Sequence, residues 1–163
     1  MAIQGIEQPA IIQIDETLRL RKFDGVYDFA LKWYQDKDMV YMVDGVKTAY
    51  DMDRLTRMYQ YLDKAGELYF IEIQENERFI PIGDVTFWQD DMPIVIGDAH
   101  YRGKGIGRKV ISALVQRGKA LGFDYVSVGE IYDWNTPSRR CFESVGFRAY
   151  EKTEKGAKYR KPL

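Results

Sequence analysis

The chain has little of the chemistry on which many enzymes depend. Its 163 residues include one cysteine, Cys141, and one histidine, His100. A single cysteine cannot form an intramolecular disulfide, and a single histidine excludes sites built from several histidines. No apolar run approaches the roughly 20 residues of a membrane-spanning helix, and the N-terminal residues lack the pattern of a signal peptide. We therefore expect a cytoplasmic protein with no metal and no membrane association.

Composition and charge indicate one globular domain over residues 1–163. Hydrophobic residues make up 45% of the chain and charged residues 30%, as in ordinary globular proteins. The net charge of −1 combines −9 over residues 1–100 with +8 over residues 101–163. The basic half suits an anionic ligand and the acidic half a cationic partner. The alternative, mainly for the acidic half, is that charged residues of one sign cluster by chance on solvent-exposed faces.

Hydrophobic periodicity and turn residues predict an α+β fold. Strands are expected over residues 11–14, 18–21, 68–75, 78–88, 94–96, 125–132, 147–151 and 158–161. Helices are expected from Asp24 to about residue 35, from Asp51 to Gly66, from Gly105 to Leu121 and from Asn135 to Gly146. This order predicts a mostly antiparallel sheet followed by one βαβ crossover.

A glycine-rich stretch lies where the third predicted helix begins. It reads Arg102-Gly103-Lys104-Gly105-Ile106-Gly107 and is followed by Arg108. Glycines let the backbone turn tightly and approach a ligand, and the start of a helix offers unpaired N–H groups and a positive dipole end. The stretch therefore predicts a site for a phosphorylated ligand.

Spacing separates three classes of phosphate loop. The nucleoside-triphosphatase loop does not fit, because five residues separate Gly97 from Gly103 and Gly105 stands where Ser or Thr would hold magnesium. The dinucleotide fingerprint does not fit, because the glycines here are spaced G-x-G-x-G. Arg102, Gly105 and Gly107 match [RQ]-x-x-G-x-[GA]. That pattern resembles the pyrophosphate loop of the GCN5-related N-acetyltransferases, which use acetyl-CoA.

A second motif strengthens this resemblance. Asn135, Ser138, Phe142-Glu143 and Gly146-Phe147 are similar to the family's N-x-x-[AS]-x-x-x-Y-E-x-x-G-F. The similarity covers about residues 93–152. Residues 18–21 resemble a strand of the branch that contains ribosomal-protein N-terminal and aminoglycoside 6′-N-acetyltransferases. The resemblance implies a GNAT-like mixed, largely antiparallel twisted sheet flanked by helices, with acetyl-CoA in a V-shaped split between central strands.

The resemblance also implies which residues hold acetyl-CoA. The cofactor-binding positions are Val95, Ile96, Arg102, Gly103, Lys104, Gly105, Ile106, Gly107, Arg108, Asn135, Ser138 and Phe142. The backbone of Val95 and Ile96 would pair with the pantetheine arm, and the amides from Arg102 to Arg108 would hold the pyrophosphate. Asn135 would form a hydrogen bond with the pantetheine arm.

Acetyl transfer needs a neutral amine, so a base is useful. Glu130 is our candidate base, by resemblance to some ribosomal-protein acetyltransferases, although it can equally be an exposed carboxylate at a strand end. Asp90, Asp91 and Asp98 are rivals.

The usual acid is absent. Most active relatives have a tyrosine where this chain has Phe142, which cannot donate a proton; Phe142 is equally compatible with an ordinary core aromatic. Tyr132 or a water is a substitute, and the alternative is that the tetrahedral intermediate collapses with no protein acid.

The acceptor side is less defined. Aromatic and acidic residues in the N-terminal part suit a cationic amine, and the candidate substrate residues are Trp33, Tyr34, Asp36 and Asp90. Each can instead belong to the core or the surface.

The leading hypothesis is an acetyl-CoA-dependent N-acetyltransferase acting on a protein N-terminus or a small polycationic amine. An aminoglycoside-modifying enzyme and a non-catalytic acetyl-CoA-binding protein remain as alternatives. We expect a monomer or homodimer and no nucleic-acid partner.

Overall fold

Two antiparallel sheets form the centre of the molecule. The computed structural model describes residues 2–163. Five strands form the first sheet in the order β1-β2-β3-β4-β5: β1 (Ile11–Gln13), β2 (Leu18–Lys22), β3 (Glu67–Glu75), β4 (Arg78–Phe87) and β5 (Ile94–Ile96). The second sheet has the order β6-β8-β7: β6 (Tyr125–Tyr132), β7 (Arg148–Lys152) and β8 (Gly156–Pro162).

Helices cover the sheets and create two hydrophobic clusters. They are a 3-10 helix (Asp28–Gln35), α1 (Lys37–Asp44), α2 (Met52–Ala65), a short 3-10 turn (Ala99–Tyr101), α3 (Ile106–Ala120) and α4 (Thr136–Val145). One cluster joins α3 to the sheets, and the other joins the 3-10 helix, α1 and α2 to β3. No helix formed by residues 2–163 has both the length and the apolar character needed to cross a bilayer.

The sheets separate between β5 and β6. The predicted order of strand, helix and strand is confirmed, but within residues 2–163 no ladder joins β5 to β6. The sheets meet at one end only, where Ser127 N–H donates to the Gln89 carbonyl (2.8 Å) and Gly129 N–H to the Asp91 carboxylate (2.8 Å). A bulge in β6 between Val128 and Glu130 accompanies this contact. β5 and β6 therefore each present a free backbone edge to a V-shaped cleft.

Helix α1 was missed by the sequence analysis. The Asp36 side chain accepts the N–H groups of Asp38 and Met39, and Gly45 ends the helix at φ +77°. The prediction that Asp24 begins a helix was wrong. Its carboxylate instead accepts Val26 N–H within a turn, and regular structure starts only at Asp28, as a 3-10 helix.

The other predicted boundaries hold to within about two residues. Asp51 caps α2 by accepting Arg54 N–H (2.8 Å). Asn76 and Glu77 both have positive φ, which is the geometry of a tight hairpin turn between β3 and β4.

Candidate active site

The larger cavity lies between β5, α3 and α4 and has a volume of about 720 Å³; we call it the donor cleft. It is lined by eleven of the twelve predicted cofactor-binding residues: Val95, Ile96, Arg102, Gly103, Gly105, Ile106, Gly107, Arg108, Asn135, Ser138 and Phe142. Lys104 is the exception, and its ammonium lies over the Tyr101 ring, 5.8 Å from the centroid. The structure thus brings two motifs about 30 residues apart in the sequence to one surface.

The glycine loop presents a row of unpaired amides to the donor cleft. Gly103 and Gly105 have φ of +72° and +80°, values that side-chain-bearing residues rarely adopt. Gly105 precedes α3 without a side-chain cap. Within the described chain, the N–H groups of residues 103–108 donate to no backbone acceptor. Such a row at a helix N-terminus is suited to an anionic group such as pyrophosphate.

Arg102 holds the loop in place. Its guanidinium donates to the carbonyls of Ile96 (2.8 Å) and Gly97 (3.1 Å) and lies 3.5 Å from the Asp36 carboxylate. These contacts fasten the loop to the end of β5. Arg102 therefore contributes shape to the site as well as charge.

Asn135 organises the other wall of the donor cleft. Its carbonyl oxygen accepts Ser138 N–H (3.3 Å) and so caps α4, while its amide donates to the Met42 carbonyl at the end of α1 (3.3 Å). Asn135 thus ties α1 to α4 across the cleft. Sequence reasoning missed Arg140, which also lines the cleft; the signal was its position on α4 three residues after Pro137, another lining residue.

A smaller cavity of about 320 Å³ adjoins the donor cleft; we call it the acceptor pocket. Its lining contains four carboxylates and four tyrosines: Asp44, Asp84, Asp91, Glu130, Tyr34, Tyr50, Tyr61 and Tyr132. No lysine, arginine or histidine of the described chain lines it. Val95, Ser138 and Phe142 line both cavities, so the two meet at the end of β5.

The predicted acid–base residues both line the acceptor pocket. Glu130 is exposed, and its cross-strand neighbour Lys158 pairs with Glu151 instead (2.9 Å). The Tyr132 ring stacks on Trp134 with centroids 4.6 Å apart. Burial, with the nearby Glu130 charge, raises the pKa of Tyr132, so its phenol keeps a proton to donate near neutral pH.

Asp84 is a buried acid that sequence reasoning missed. It is 2% exposed and lies on β4 opposite Val95. The hydroxyls of Tyr34 (2.7 Å) and Tyr59 (2.8 Å) donate to the same oxygen, Oδ2, and Oδ1 has no donor within residues 2–163. Burial raises the pKa of Asp84 to about 6, against the opposing effect of the two phenols. The available signal was an aspartate in the middle of an otherwise apolar strand.

Of the four predicted substrate residues, only Tyr34 lines the acceptor pocket. Trp33 lines neither cavity, because its ring is buried against Phe70 and leaves no room for a side chain at Gly97. Asp36 caps α1. Asp90 accepts the Tyr125 hydroxyl (2.9 Å) away from both cavities. The structure therefore does not bring these four residues together.

Comparison with known proteins gives this arrangement a family. Residues 27–147 match the family model described as the Acetyltransferase (GNAT) family. The chain belongs to this family. No curated protein matches it in a sequence search. The resemblance inferred from the two motifs is confirmed, and acetyl-CoA is the cosubstrate that GNAT enzymes share.

Solved structures show the same fold at low sequence identity. A GNAT-family acetyltransferase from Bacillus anthracis superposes with a TM-score of 0.73 at 19% identity, covering 93% of this chain and 98% of that one. The aminoglycoside acetyltransferase AAC(6′)-Ib in complex with coenzyme A gives 0.70 at 15%, covering 89% and 94%. RimL, a ribosomal α-N-protein acetyltransferase in complex with coenzyme A, gives 0.74 at 15%, covering 94% and 98%. These likenesses confirm the GNAT fold of this acetyltransferase.

Residues 2–163 contain no group of three or more His, Cys, Asp or Glu side chains arranged to hold a metal ion. In the acceptor pocket, Asp84, Asp91 and Asp44 are engaged by phenols, backbone N–H groups and Arg54 respectively, whereas Glu130 is exposed. Asp44, for example, lies 3.1 Å from the Arg54 guanidinium.

Proposed function

We propose that this chain transfers the acetyl group of acetyl-CoA to a primary amine of a cationic acceptor, by direct attack in a ternary complex. The observation that carries the proposal is the meeting of two unlike cavities. The donor cleft is lined by backbone amides and by three arginines, Arg102, Arg108 and Arg140, against one carboxylate, Asp38. The acceptor pocket is lined by four carboxylates and, within the described residues, by no lysine, arginine or histidine. An anionic donor and a cationic acceptor would therefore meet at Val95 and Phe142.

The donor would lie along the free edge of β5. Pairing of Val95 with Asp84 leaves the outer edge of β5 open to the cleft. The amides of a pantetheine arm can add to such an edge as an extra strand does. The pyrophosphate would then reach the N–H groups of residues 103–108, because the loop follows β5 directly.

The chemistry requires three events at the junction. The amine nitrogen forms a bond to the thioester carbon, the carbonyl electrons move to oxygen, and the C–S bond then breaks to release the CoA thiolate. Backbone N–H groups on the edge of β5 would stabilise the oxyanion. Phe142 supplies no proton, so we assign that role to Tyr132. A thiol pKa near 8.5 makes the thiolate a tolerable leaving group even without an acid.

Charge is our basis for the acceptor class. The pocket has four carboxylates, of which only Asp44 is paired with an arginine, Arg54. They favour an acceptor that arrives as an ammonium, and the tyrosine rings offer cation–π contacts. A protein N-terminus and a small polyamine both meet this description. An aminoglycoside is the alternative, and the small volume of the pocket counts against burying several sugar rings.

A thiol-release assay tests the proposal. Purified protein would be mixed with acetyl-CoA and, separately, 1,4-diaminobutane, an alanine-terminated tripeptide and the aminoglycoside tobramycin. We expect amine-dependent CoA release and a product heavier by one acetyl group. If acetyl-CoA binds but none of the three amines is acetylated, the transferase proposal is wrong. The chain is then an acetyl-CoA-binding protein, as the loss of the usual tyrosine at Phe142 would suggest.

A further inference from the structure

We propose that Asp84, held by the hydroxyls of Tyr34 and Tyr59, forms an ammonium-binding site in the wall of the acceptor pocket, and that its carboxylate takes the first proton lost by the acceptor. The ligand class is a primary ammonium on a narrow aliphatic arm. This inference rests on the proposed function and refines it, because it replaces Glu130 with Asp84 as the base.

The geometry leaves one face of the carboxylate free for a ligand. Both phenols occupy Oδ2 of Asp84, at 2.7 and 2.8 Å, and Oδ1 has no protein donor within the described residues. Asp84 nevertheless lines the pocket. A buried carboxylate oxygen without a donor is costly unless a ligand or water satisfies it. An ammonium N–H is the donor that an acidic pocket would attract.

The remaining carboxylates of the pocket are already engaged or exposed. Asp44 is paired with Arg54 (3.1 Å). Asp91 accepts the N–H groups of Gly129 and Met92, both at 2.8 Å, and so holds the junction of the two sheets. Glu130 faces solvent, where water screens its charge. Both donors to Asp91 reach Oδ1, so its Oδ2 is also unused, but its side chain is only half-buried. Asp84 alone combines full burial with an unused oxygen.

Asp84 is also placed next to the reaction centre. It lies opposite Val95 in the β4–β5 ladder, and Val95 lines both cavities. An amine held on Oδ1 is therefore next to the strand along which the thioester would lie. The Tyr34 and Tyr59 rings pack at 6.4 Å and fix the orientation of the carboxylate.

The proton balance is simple. The bound ammonium first transfers one proton to Asp84, which leaves a neutral amine whose nitrogen attacks the thioester carbon as the carbonyl electrons move to oxygen. The carbonyl re-forms as the C–S bond breaks, and the thiolate takes a proton from Tyr132, which the nitrogen replaces with its second proton. Asp84–H returns its proton to solvent after product release. A base whose pKa lies near the working pH suits this exchange, and burial of Asp84 moves its pKa toward that range.

Several titratable groups face Asp84 or share its pocket. They are Tyr34 from the 3-10 helix, Tyr50 before α2, Tyr59 and Tyr61 from α2, Asp44 from α1, Asp91 from the β4–β5 turn, and Glu130 and Tyr132 from β6. Burial raises the pKa of each of the three tyrosines nearest to Asp84, namely Tyr34, Tyr50 and Tyr59. They stay protonated where Asp84 titrates, so the acid limb of the rate reports on a carboxylate.

The test compares pH profiles of kcat/KM for three variants, using whichever of the three amines above the wild-type protein acetylates fastest. Asp84→Asn keeps an oxygen for the phenols but cannot take a proton, and we expect it to lose about 100-fold in kcat/KM together with the acid limb. Glu130→Gln should keep the limb. Tyr59→Phe removes a hydrogen bond that lowers the pKa of Asp84, so the limb should move to higher pH. Asp63→Asn, an exposed change on α2, is the matched control.

The outcomes separate this inference from the proposed function. Titration calorimetry should give the same acetyl-CoA affinity for Asp84→Asn as for the wild type, because Asp84 does not line the donor cleft. The inference is overturned if Asp84→Asn keeps more than a tenth of kcat/KM, or if the acid limb disappears with Glu130→Gln instead. Should Asp84→Asn not fold, Tyr59→Phe decides, and an unmoved limb refutes the role of Asp84. Wild-type protein that acetylates no amine refutes the proposed function before any variant is made.

Discussion

Replacing Asp84 with asparagine should stabilise the fold at alkaline pH while it removes activity. In the wild-type protein the carboxylate is buried, and its pKa is about 6 in the folded state and near 3.8 when unfolded. Folding therefore favours the protonated form. The stability that this group contributes is fully present below pH 3.8 and is lost as the pH rises through 6.

The size of the effect follows from the two pKa values. A difference of about two units corresponds to about 3 kcal/mol, since one unit is 1.36 kcal/mol. Part of the loss has already occurred at pH 4, so about 2.5 kcal/mol remains between pH 4 and pH 8. The asparagine variant has no charge to bury and should not lose this amount. The difference in unfolding free energy, variant minus wild type, should therefore rise by about 2.5 kcal/mol from pH 4 to pH 8.

Urea unfolding at pH 4, 5, 6, 7 and 8 measures that difference. All other titrations occur in both proteins and cancel when one curve is subtracted from the other. Asp63→Asn, which changes an exposed carboxylate on the same domain, should give a flat difference. A difference for Asp84→Asn that varies by less than about 0.5 kcal/mol over this range would refute the claim that Asp84 is ionised at a cost in the folded protein.

Two further sets of substitutions test the glycine loop and the buried Arg117–Glu67 ion pair. Gly105→Ala and Gly122→Ala change glycines of nearly equal φ, +80° and +83°, with open space around each. Both should cost about 1 kcal/mol of stability, but only Gly105→Ala should weaken coenzyme A binding in calorimetry, by roughly tenfold. Equal affinities of the two variants would argue against pyrophosphate binding by the N–H groups of residues 103–108. Arg117→Ala leaves the buried Glu67 carboxylate unpaired and should cost about 3–5 kcal/mol in urea unfolding. The double change Arg117→Met with Glu67→Gln should recover most of that loss, and no recovery would contradict an electrostatic cause.

Much of the fold could be predicted because residues with local conformational roles mark its boundaries. Asp51 and Asn135 cap helices through their own side chains, and glycines with positive φ end or begin others. Helix α1 escaped prediction because it has only eight residues and its apolar residues form one continuous run, 39–43, without helical periodicity. The glycine loop was predictable for the same reason as the helix boundaries, because its glycines set the local backbone conformation.

The resemblance to the GNAT family implied the split between the two sheets, whereas the hydrophobic periodicity of the strands did not. β5 and β6 have the apolar character of paired strands, and nothing in their sequences states that no ladder joins them. A contact between distant segments joins the sheets at one end, where Asp91 accepts Gly129 N–H at the β6 bulge. Such a contact exists only after both sheets have formed, so local sequence carries no trace of it.

The same limit explains why Asp84 was missed while Glu130 was proposed. The environment of Asp84 comes from Tyr34 and Tyr59, 50 and 25 residues earlier in the chain, and their hydroxyls converge on one carboxylate oxygen only when two helical segments pack on β4. Fold stability alone would favour a neutral residue there, because an ionised carboxylate at this depth costs about 3 kcal/mol at pH 8. A residue that weakens the fold and leaves an oxygen open to a cavity is what a binding or catalytic role requires, since such roles conflict with stability. The expected stability cost of Asp84 and its expected role in activity are thus two consequences of one buried charge, and the asparagine variant should lose both together.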